Sequence, residues 1–474
     1  MKIVLYKSIF SILLLIIFSI NLYLPLIANN IEIKTVTVTD IDTLSHYANL
    51  MFDISWVNSW RLDGVKAPYN WDATWIFAKW KLHSGTDWAH CTLSSTDGDH
   101  TAPSGSTIDA ASDGMGIFIY RSAEGSGSVD WDNVKLRWNY GTDIVADDAT
   151  VDVKVFAIEM VYVPQGTFTL YEGECDNIYS NFNSGNIISN EEAIPEGSIT
   201  WSVETNWCGA QTNDGTIGGC DSLCADFPKG YHGFYCMKYE ISQGQYADFL
   251  SHLTETQRNN RYSNQYGNFQ HTIDTDYSGN YYASEPDRAC NYLSWADGLA
   301  YADWAGLRPM TELEYEKISR VSESIIISKI HNNDISENHS SYNDNNNIKA
   351  DYNDISEQFS IPFYGVINLN GNLWERCITV AKYCWNNSSW NNETNVSIFD
   401  GQNGDGYLTK TGFSNVSNWP SKDAVNGYSA YGSSVRGACW IYSPSQVPVT
   451  DRNLAAYPYA ERCANYGFRA VRTE

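Results

Sequence analysis

The sequence predicts an α+β protein in two parts: an all-β, sandwich-like module over residues 45–157 and an irregular mixed domain over residues 158–474. Three observations carry this expectation. Apolar and polar residues alternate with period two through Val134-Lys135-Leu136-Arg137-Trp138-Asn139-Tyr140 and again through Val151-Asp152-Val153-Lys154-Val155, as in strands with one buried face. Helix start signals gather further along the chain, around Ser242 and Thr311. A content of 43% hydrophobic residues, with 17 Trp and 32 Tyr, supplies enough apolar surface for extended cores.

Taken in order, the chain opens with Lys2 and Lys7 ahead of an apolar run from Ile9 to Ile27, and no acidic residue precedes Glu32. This reads as a signal peptide over residues 1–28, cut after Ala28, with an uncleaved membrane anchor as the alternative. No cysteine follows the run, so a lipid-anchored form is not expected, and no later segment is apolar over the length a bilayer requires. The mature protein is expected to be exported: periplasmic, at the cell surface or secreted. It would meet a membrane only if the N-terminal segment stays uncleaved.

Within the first module, residues 75–80 and 116–120 are further strand candidates, rich in β-branched and aromatic side chains. Residues 94–98 and 125–128 read as turns between strands. The tryptophans of such a module are expected mostly in its core, with a sugar-stacking platform as the alternative.

In the second part, residues 158–168 and 234–242 read as strands, the latter running into a helix. Ser242 and Gln245 form a capping box, and Tyr246, Phe249, Leu250 and Leu253 share one helical face. A second helix starts at Ser294 and Trp295 and stops at Gly306. Pro309 interrupts, and Thr311 with Glu314 caps a third helix running to Arg320. Two stretches stand apart. Residues 172–230 carry Cys175, Cys208, Cys220 and Cys224 among many Asn, Gly and Asp, and read as a disulfide-pinned insertion. Residues 331–356 are Asn- and Asp-rich and read as flexible.

Composition narrows the function classes. Lys plus Arg number 30 against 56 Asp plus Glu, a formal charge of −26, which argues against nucleic acid or an anionic membrane face as partner. The 11 cysteines all follow the apolar run, and export permits disulfides; the odd count leaves at least one thiol over. Cys220 and Cys224 lack the second ligand pair a zinc site needs. No nucleophile elbow, phosphate loop or dinucleotide fingerprint occurs.

Five landmarks occur in order: residues 158–168; residues 234–242; Leu307-Arg308-Pro309-Met310-Thr311-Glu312-Leu313-Glu314-Tyr315-Glu316; residues 368–375; and Val435-Arg436-Gly437-Ala438-Cys439-Trp440 followed by Tyr466-Gly467-Phe468-Arg469. Together they resemble the sulfatase-modifying factor (formylglycine-generating enzyme) family. The resemblance implies a C-type-lectin-like, formylglycine-generating-enzyme-type domain over residues 158–474, with insertions near 172–230 and 331–356. It also implies where the family's two catalytic cysteines should fall, and those positions hold Tyr442 and Val447. Copper oxidase chemistry needs two neighbouring thiolates, because soft sulfur selects Cu(I) and one sulfur exchanges with the substrate thiol. Copper is therefore not expected. Cys439 and Cys463 stand nearby in sequence and are expected either as a structural disulfide or as relocated thiols. A family branch that uses non-haem iron draws on a His-x3-His-x-Glu motif, and the nine histidines here include no such spacing.

The same resemblance implies a structural calcium site. Its ligands would be the Asn368 side chain, the Gly371 and Leu373 carbonyls and the Glu375 carboxylate, oxygen donors of the kind calcium takes. Without the resemblance, these residues read as an Asn-Gly turn before a strand. In the C-type-lectin-like fold the C-terminal end presents ligands, as in the variable receptor proteins of diversity-generating retroelements. Here that end is dense in aromatics, and Trp440, Tyr442, Tyr457 and Tyr459 are the expected ligand surface, with core packing as the alternative. The expected function is that of an exported, non-catalytic, calcium-stabilised module binding a glycan, peptide or protein. The alternatives are a formylglycine-generating-type oxidase acting on a substrate cysteine through a relocated thiol pair, and a scaffold for assembly.

Overall fold

The computed structural model describes residues 31–62, 67–170, 180–182, 185–203, 222–319, 363–369, 371–381, 399–440, 451–452, 454–455 and 457–473. The apolar N-terminal run, the Asn-rich stretch 331–356, Tyr442 and Val447 lie outside these residues, as do Cys175, Cys208 and Cys220. Among the described residues, no helix is long and apolar enough to cross a membrane.

The first strands are β1 (Glu32–Asp42), β2 (Tyr47–Arg61), β3 (Asp72–Leu82), β4 (Ala89–His90), β5 (Ser106–Ala110), β6 (Ile117–Arg121), β7 (Gly125–Trp138) and β8 (Val151–Val163). β1, β2 and β7 form an antiparallel three-stranded sheet. Alternation decides its inner face: Leu50, Phe52, Ile54 and Trp56 of β2 and Val134, Leu136 and Trp138 of β7 are buried. They pack against Ile76 and Ala78 of β3, Ile108 of β5 and Ile117 and Ile119 of β6, which makes the expected sandwich.

Two details differ from the sequence expectation. The module begins at Glu32 rather than near residue 45, because β1 lays Val36 and Val38 on the sandwich core. The expected turn at 125–128 is the start of β7, where Gly125, Ser126 and Gly127 pair with Arg61, Trp60 and Ser59.

The remaining strands are β9 (Phe168–Thr169), β10 (Ser180–Phe182), β11 (Ile187–Ile188), β12 (Trp201–Val203), β13 (Phe234–Met237), β14 (Ile273–Thr275), β15 (Tyr281–Ala283), β16 (Arg308–Pro309), β17 (Trp374–Ile378), β18 (Ser433–Arg436), β19 (Tyr466–Gly467) and β20 (Ala470–Thr473). The largest sheet runs β16-β20-β13-β8-β3-β6-β5, with β4 added beside β3. β8 is the strand that joins its two halves. From Val151 to Val161 it pairs with β3, and from Met160 to Val163 with β13.

The boundary expected between residues 157 and 158 therefore falls inside one strand, and the two parts share a sheet. β3 is buried on both faces as a result. Ile76 and Ala78 face the sandwich, while Ala73, Trp75 and Phe77 face the helices, which explains its nearly unbroken apolar run.

Four α-helices are described: α1 (Gln243–Ser251), α2 (Glu255–Arg261), α3 (Trp295–Trp304) and α4 (Glu312–Ile318). Each starts with a capping box. At α1 the Gln245 N–H donates to Ser242 Oγ at 3.2 Å and the Ser242 N–H to Gln245 Oε1 at 3.0 Å. α2 was not expected, although Thr254 and Gln257 carry the same signal. α4 ends at Ile318, short of the expected Arg320. α3 is buried along its whole length, and Gly298 is needed there because a Cβ would lie 2.0 Å from the Phe468 ring. Trp75 closes the C-terminal end of α3 by donating its indole N–H to the Ala305 carbonyl at 2.8 Å.

Candidate functional site

A second, smaller sheet, β18-β17-β19, builds the C-terminal face. Beneath it the charged residues of the 307–316 landmark are buried and paired. Arg308 grips Glu314 with its Nη1 and Nη2 at 2.9 and 2.6 Å. Glu312 accepts from Arg436 at 3.0 Å and from Arg452 at 2.7 and 3.0 Å, and Arg436 also reaches Glu316. These charges hold the fold together and are spent on one another.

Arg452 has a further partner that sequence reasoning missed. Its guanidinium lies 3.9 Å from the Phe182 ring centre and 4.2 Å from that of Trp201. Both rings belong to the 172–230 insertion, so that segment is docked on the C-terminal face through β10 and β12.

The expected calcium ligands occupy one turn and the start of β17. Asn368 and Gly371 have φ of 60° and 92°, and the Gly371 N–H donates to the Gly437 carbonyl at 2.5 Å. Glu375 is fully buried, and both its oxygens accept from Arg469, whose Nε lies at 3.0 and 2.9 Å and Nη2 at 2.7 Å.

Glu240, which the sequence reading did not include, stands beside this pair. Its carboxylate accepts the Leu373 N–H at 3.2 Å and the Asn372 side-chain amide. Burial, then the charge of Glu375, pushes the Glu240 carboxyl up to about 8. Burial raises Glu375 as well, against the pull of Arg469. The Asn372 Oδ1 is buried without a hydrogen-bond partner. Two carboxylates facing one guanidinium, with an orphaned amide oxygen beside them, fit a hard cation in donor type and charge. The described residues include no cluster of three or more His, Cys, Asp or Glu arranged for a metal.

The expected disulfide between Cys439 and Cys463 is not formed: no bond joins the two. Cys439 is buried in the apolar cluster under the face, while Cys463 is half-buried and directs its thiol to Asn465 Oδ1 at 2.9 Å. Both lie close enough to Tyr466 to add to the rise that burial imposes on its phenol.

The aromatics divide. Trp440 is 8% exposed and belongs to the core, its indole N–H donating to the Ala464 carbonyl at 3.4 Å and its ring lying 5.6 Å from that of Phe269. Its place in the expected ligand surface is therefore corrected. Phe269, 47% exposed, was missed; its φ of 44° comes from a turn with no sequence signature we recognised.

Tyr457 and Tyr459 do come together, and Tyr428 joins them. Ring centres are 5.6 Å apart for Tyr428 and Tyr457, 5.4 Å for Tyr428 and Tyr459, and 5.8 Å for Tyr457 and Tyr459. Tyr428 is 43% exposed, and the other two are half-buried.

Backbone bonds make one platform of the two loops that carry these rings. The Ala460 N–H donates to the Gly427 carbonyl at 2.7 Å and the Ala430 N–H to the Pro458 carbonyl at 2.9 Å. Glu461 accepts the Gly427 N–H at 2.7 Å and the Tyr459 hydroxyl at 3.0 Å. Below, the buried Arg376 donates to the carbonyls of Tyr459 and Glu461 at 2.6 and 2.8 Å and lies 4.6 Å over the Tyr466 ring. Burial, aided by Glu461, pushes the Tyr459 phenol up to about 12, and burial raises Tyr457 too, so both remain protonated donors.

A separate open cleft of about 380 Å³ has Glu191, Asp226, His232 and Asp400 on its lining above the Arg308–Glu314 pair, and shares no residue with the platform.

In comparison with known proteins, the family profile described as the sulfatase-modifying factor enzyme 1-like domain matches residues 153–474. The match begins inside β8, the strand the two parts share. No curated protein matches the chain.

Proposed function

The chain belongs to the sulfatase-modifying factor enzyme 1-like family, and from that premise we propose that it is an exported, non-catalytic, calcium-stabilised binding module with a C-type-lectin-like ligand face. The observation that carries this reading is the platform of Tyr428, Tyr457 and Tyr459. Three partly exposed aromatic side chains are held rigid by backbone bonds and by Arg376, so little freedom is lost when a ligand lands on them. The ligand class is a glycan, a peptide or a protein. Calcium would be held by Asn368, Gly371, Leu373 and Glu375, with Glu240 and Asn372 beside them. It would take the place of the proton that burial and Glu375 keep on the Glu240 carboxyl at neutral pH.

The non-catalytic part of the reading rests on Tyr442 and Val447, which offer no thiolate where the family places two. The oxidase reading keeps one supporting observation, the common proximity of Cys439 and Cys463 to Tyr466. A single experiment separates the two. The full-length mature chain is incubated with Cu(I), oxygen and a cysteine-containing sulfatase-motif peptide, and peptide mass is followed beside an active family member. Loss of the cysteine to formylglycine, abolished by Cys439→Ser, would establish the oxidase. An unchanged peptide supports the binding module.

A further inference from the structure

We infer that the tyrosine platform takes an organic cation — an alkylammonium, guanidinium or quaternary ammonium group — over the exposed face of Tyr428 and beside the Glu461 carboxylate. The inference rests on the reading of this platform as the binding surface and narrows what it binds.

The first argument is the chemistry of the surface itself. Aromatic faces attract cations through the negative charge of the ring quadrupole, and the attraction strengthens where water is displaced. Tyr428, Tyr457 and Tyr459 supply three such rings within 5.4 to 5.8 Å of one another. Glu461 supplies a full negative charge among them. It is pinned by the Gly427 N–H and the Tyr459 hydroxyl, two neutral donors that fix its position without cancelling its charge.

The second argument is that, among the described residues of the platform loops, every cation is already engaged and none is turned out to receive an anion. Of the Lys and Arg residues from 422 to 462, Lys422 donates to the carbonyls of Asn415 and Val416, Arg462 is spent on Asp297 and the carbonyls of Tyr262 and Asn260, and the other two are Arg436 and Arg452. Both are fully buried and turned onto Glu312. Arg376, under the platform, is equally buried and donates to the carbonyls of Tyr459 and Glu461. A phosphate, sulfate or carboxylate ligand would find tyrosine rings and a like charge. The chain as a whole, at −26, draws cations toward it from a distance.

The test uses the mature full-length chain and small probes titrated by calorimetry at low salt. Choline is compared with 3,3-dimethylbutan-1-ol, which has the same shape and no charge. N-acetyl-arginine amide and N-acetyl-lysine amide are run beside N-acetyl-citrulline amide, and methyl glucoside stands for neutral sugars. The expected result is that a cationic probe binds at least about tenfold more tightly than its neutral counterpart. That preference should fall in Tyr428→Ala and in Glu461→Gln, the second of which keeps the shape of the loop, and persist in Tyr277→Ala, an exposed tyrosine elsewhere. Preference for choline points to a free quaternary ammonium compound, and preference for the amino-acid amides to a basic side chain of a partner; both support the inference.

Equal binding of the neutral isosteres, or binding of the glucoside alone, lost in Tyr428→Ala, overturns the cation assignment and leaves the platform as a binding surface. Binding that ignores both platform variants, or no binding by any probe, overturns the inference; the former outcome also moves the binding surface elsewhere.

Discussion

Glu375 and Arg469 form a fully buried pair in which the guanidinium spans both carboxylate oxygens. Arg469 spends its other donors on the carbonyls of Met237, Lys238 and Ile367, so it ties β13, β17 and the turn at 367–373 to the last strand. Glu375→Ala would strand that guanidinium and cost about 3–5 kcal/mol even where calcium is absent. Loss of stability in this variant is therefore no measure of metal binding.

Calcium is better tested at Asn368. Asn368→Ala leaves the Glu375–Arg469 pair whole, and its melting temperature should fall further below that of the natural chain in calcium than in chelator, where only the cost of placing Ala at a φ of 60° remains. Thermal melts under both conditions check this. An equal difference under both would leave the turn without a metal.

Lys79 offers a pH dependence. It is buried, donates to the Gly406 carbonyl at 2.8 Å and sits 5.1 Å over Trp304. Burial pulls its ammonium from 10.5 down to about 7, with Asp303 pulling the other way. Between those two values the unfolded chain holds the proton that the folded chain has released, so stability rises with pH across that window. Lys79→Met removes this slope. Its melting temperature relative to the natural chain should be most favourable near neutrality and lose ground toward alkaline pH, as paired melts at several pH values will show.

Thiol accessibility separates the two cysteines. Cys463, half-buried, should react with a small alkylating reagent in the native protein well before Cys439, which is buried. Mass spectrometry of native and denatured samples reads the order. A pair that resists alkylation until reduced would instead show the disulfide expected from sequence.

Removal of residues 31–152, leaving the stretch that matches the family, should give a chain that does not unfold cooperatively. β8 would lose its ladder to β3, and the helices would lose the cover of Trp75 and Phe77. Protease resistance and a thermal melt of the shortened chain decide the matter.

What the sequence made legible was local. Ser242 with Gln245 and Thr311 with Glu314 announced helices because a capping box is a short-range hydrogen-bond pattern. The alternation of residues 134–138 announced β7 because a strand with one buried face writes itself with period two. The rest depended on which parts meet. Residues 151–155 and 158–168 read separately, yet 151–163 are one strand because partners about seventy to ninety residues away, in β3 and β13, line up along it. Trp440 and Tyr459 are both aromatic and near in sequence; only the packing of Phe269 and Ala464 sends the first inward. Glu240 lies far from 368–375 in sequence, and nothing at its own position signals that it stands beside Glu375.

The unbroken run of β8 has a mechanical consequence. A force applied at β1 passes through the first sheet and the sandwich core to β3, and from there along β8 into β13 and β20. The β3–β8 and β8–β13 bonds lie side by side and would be loaded in shear, so many must yield together. Because one strand belongs to both ladders, a pull that separates the sandwich from the part that matches the family has to break a continuous sheet rather than open a linker.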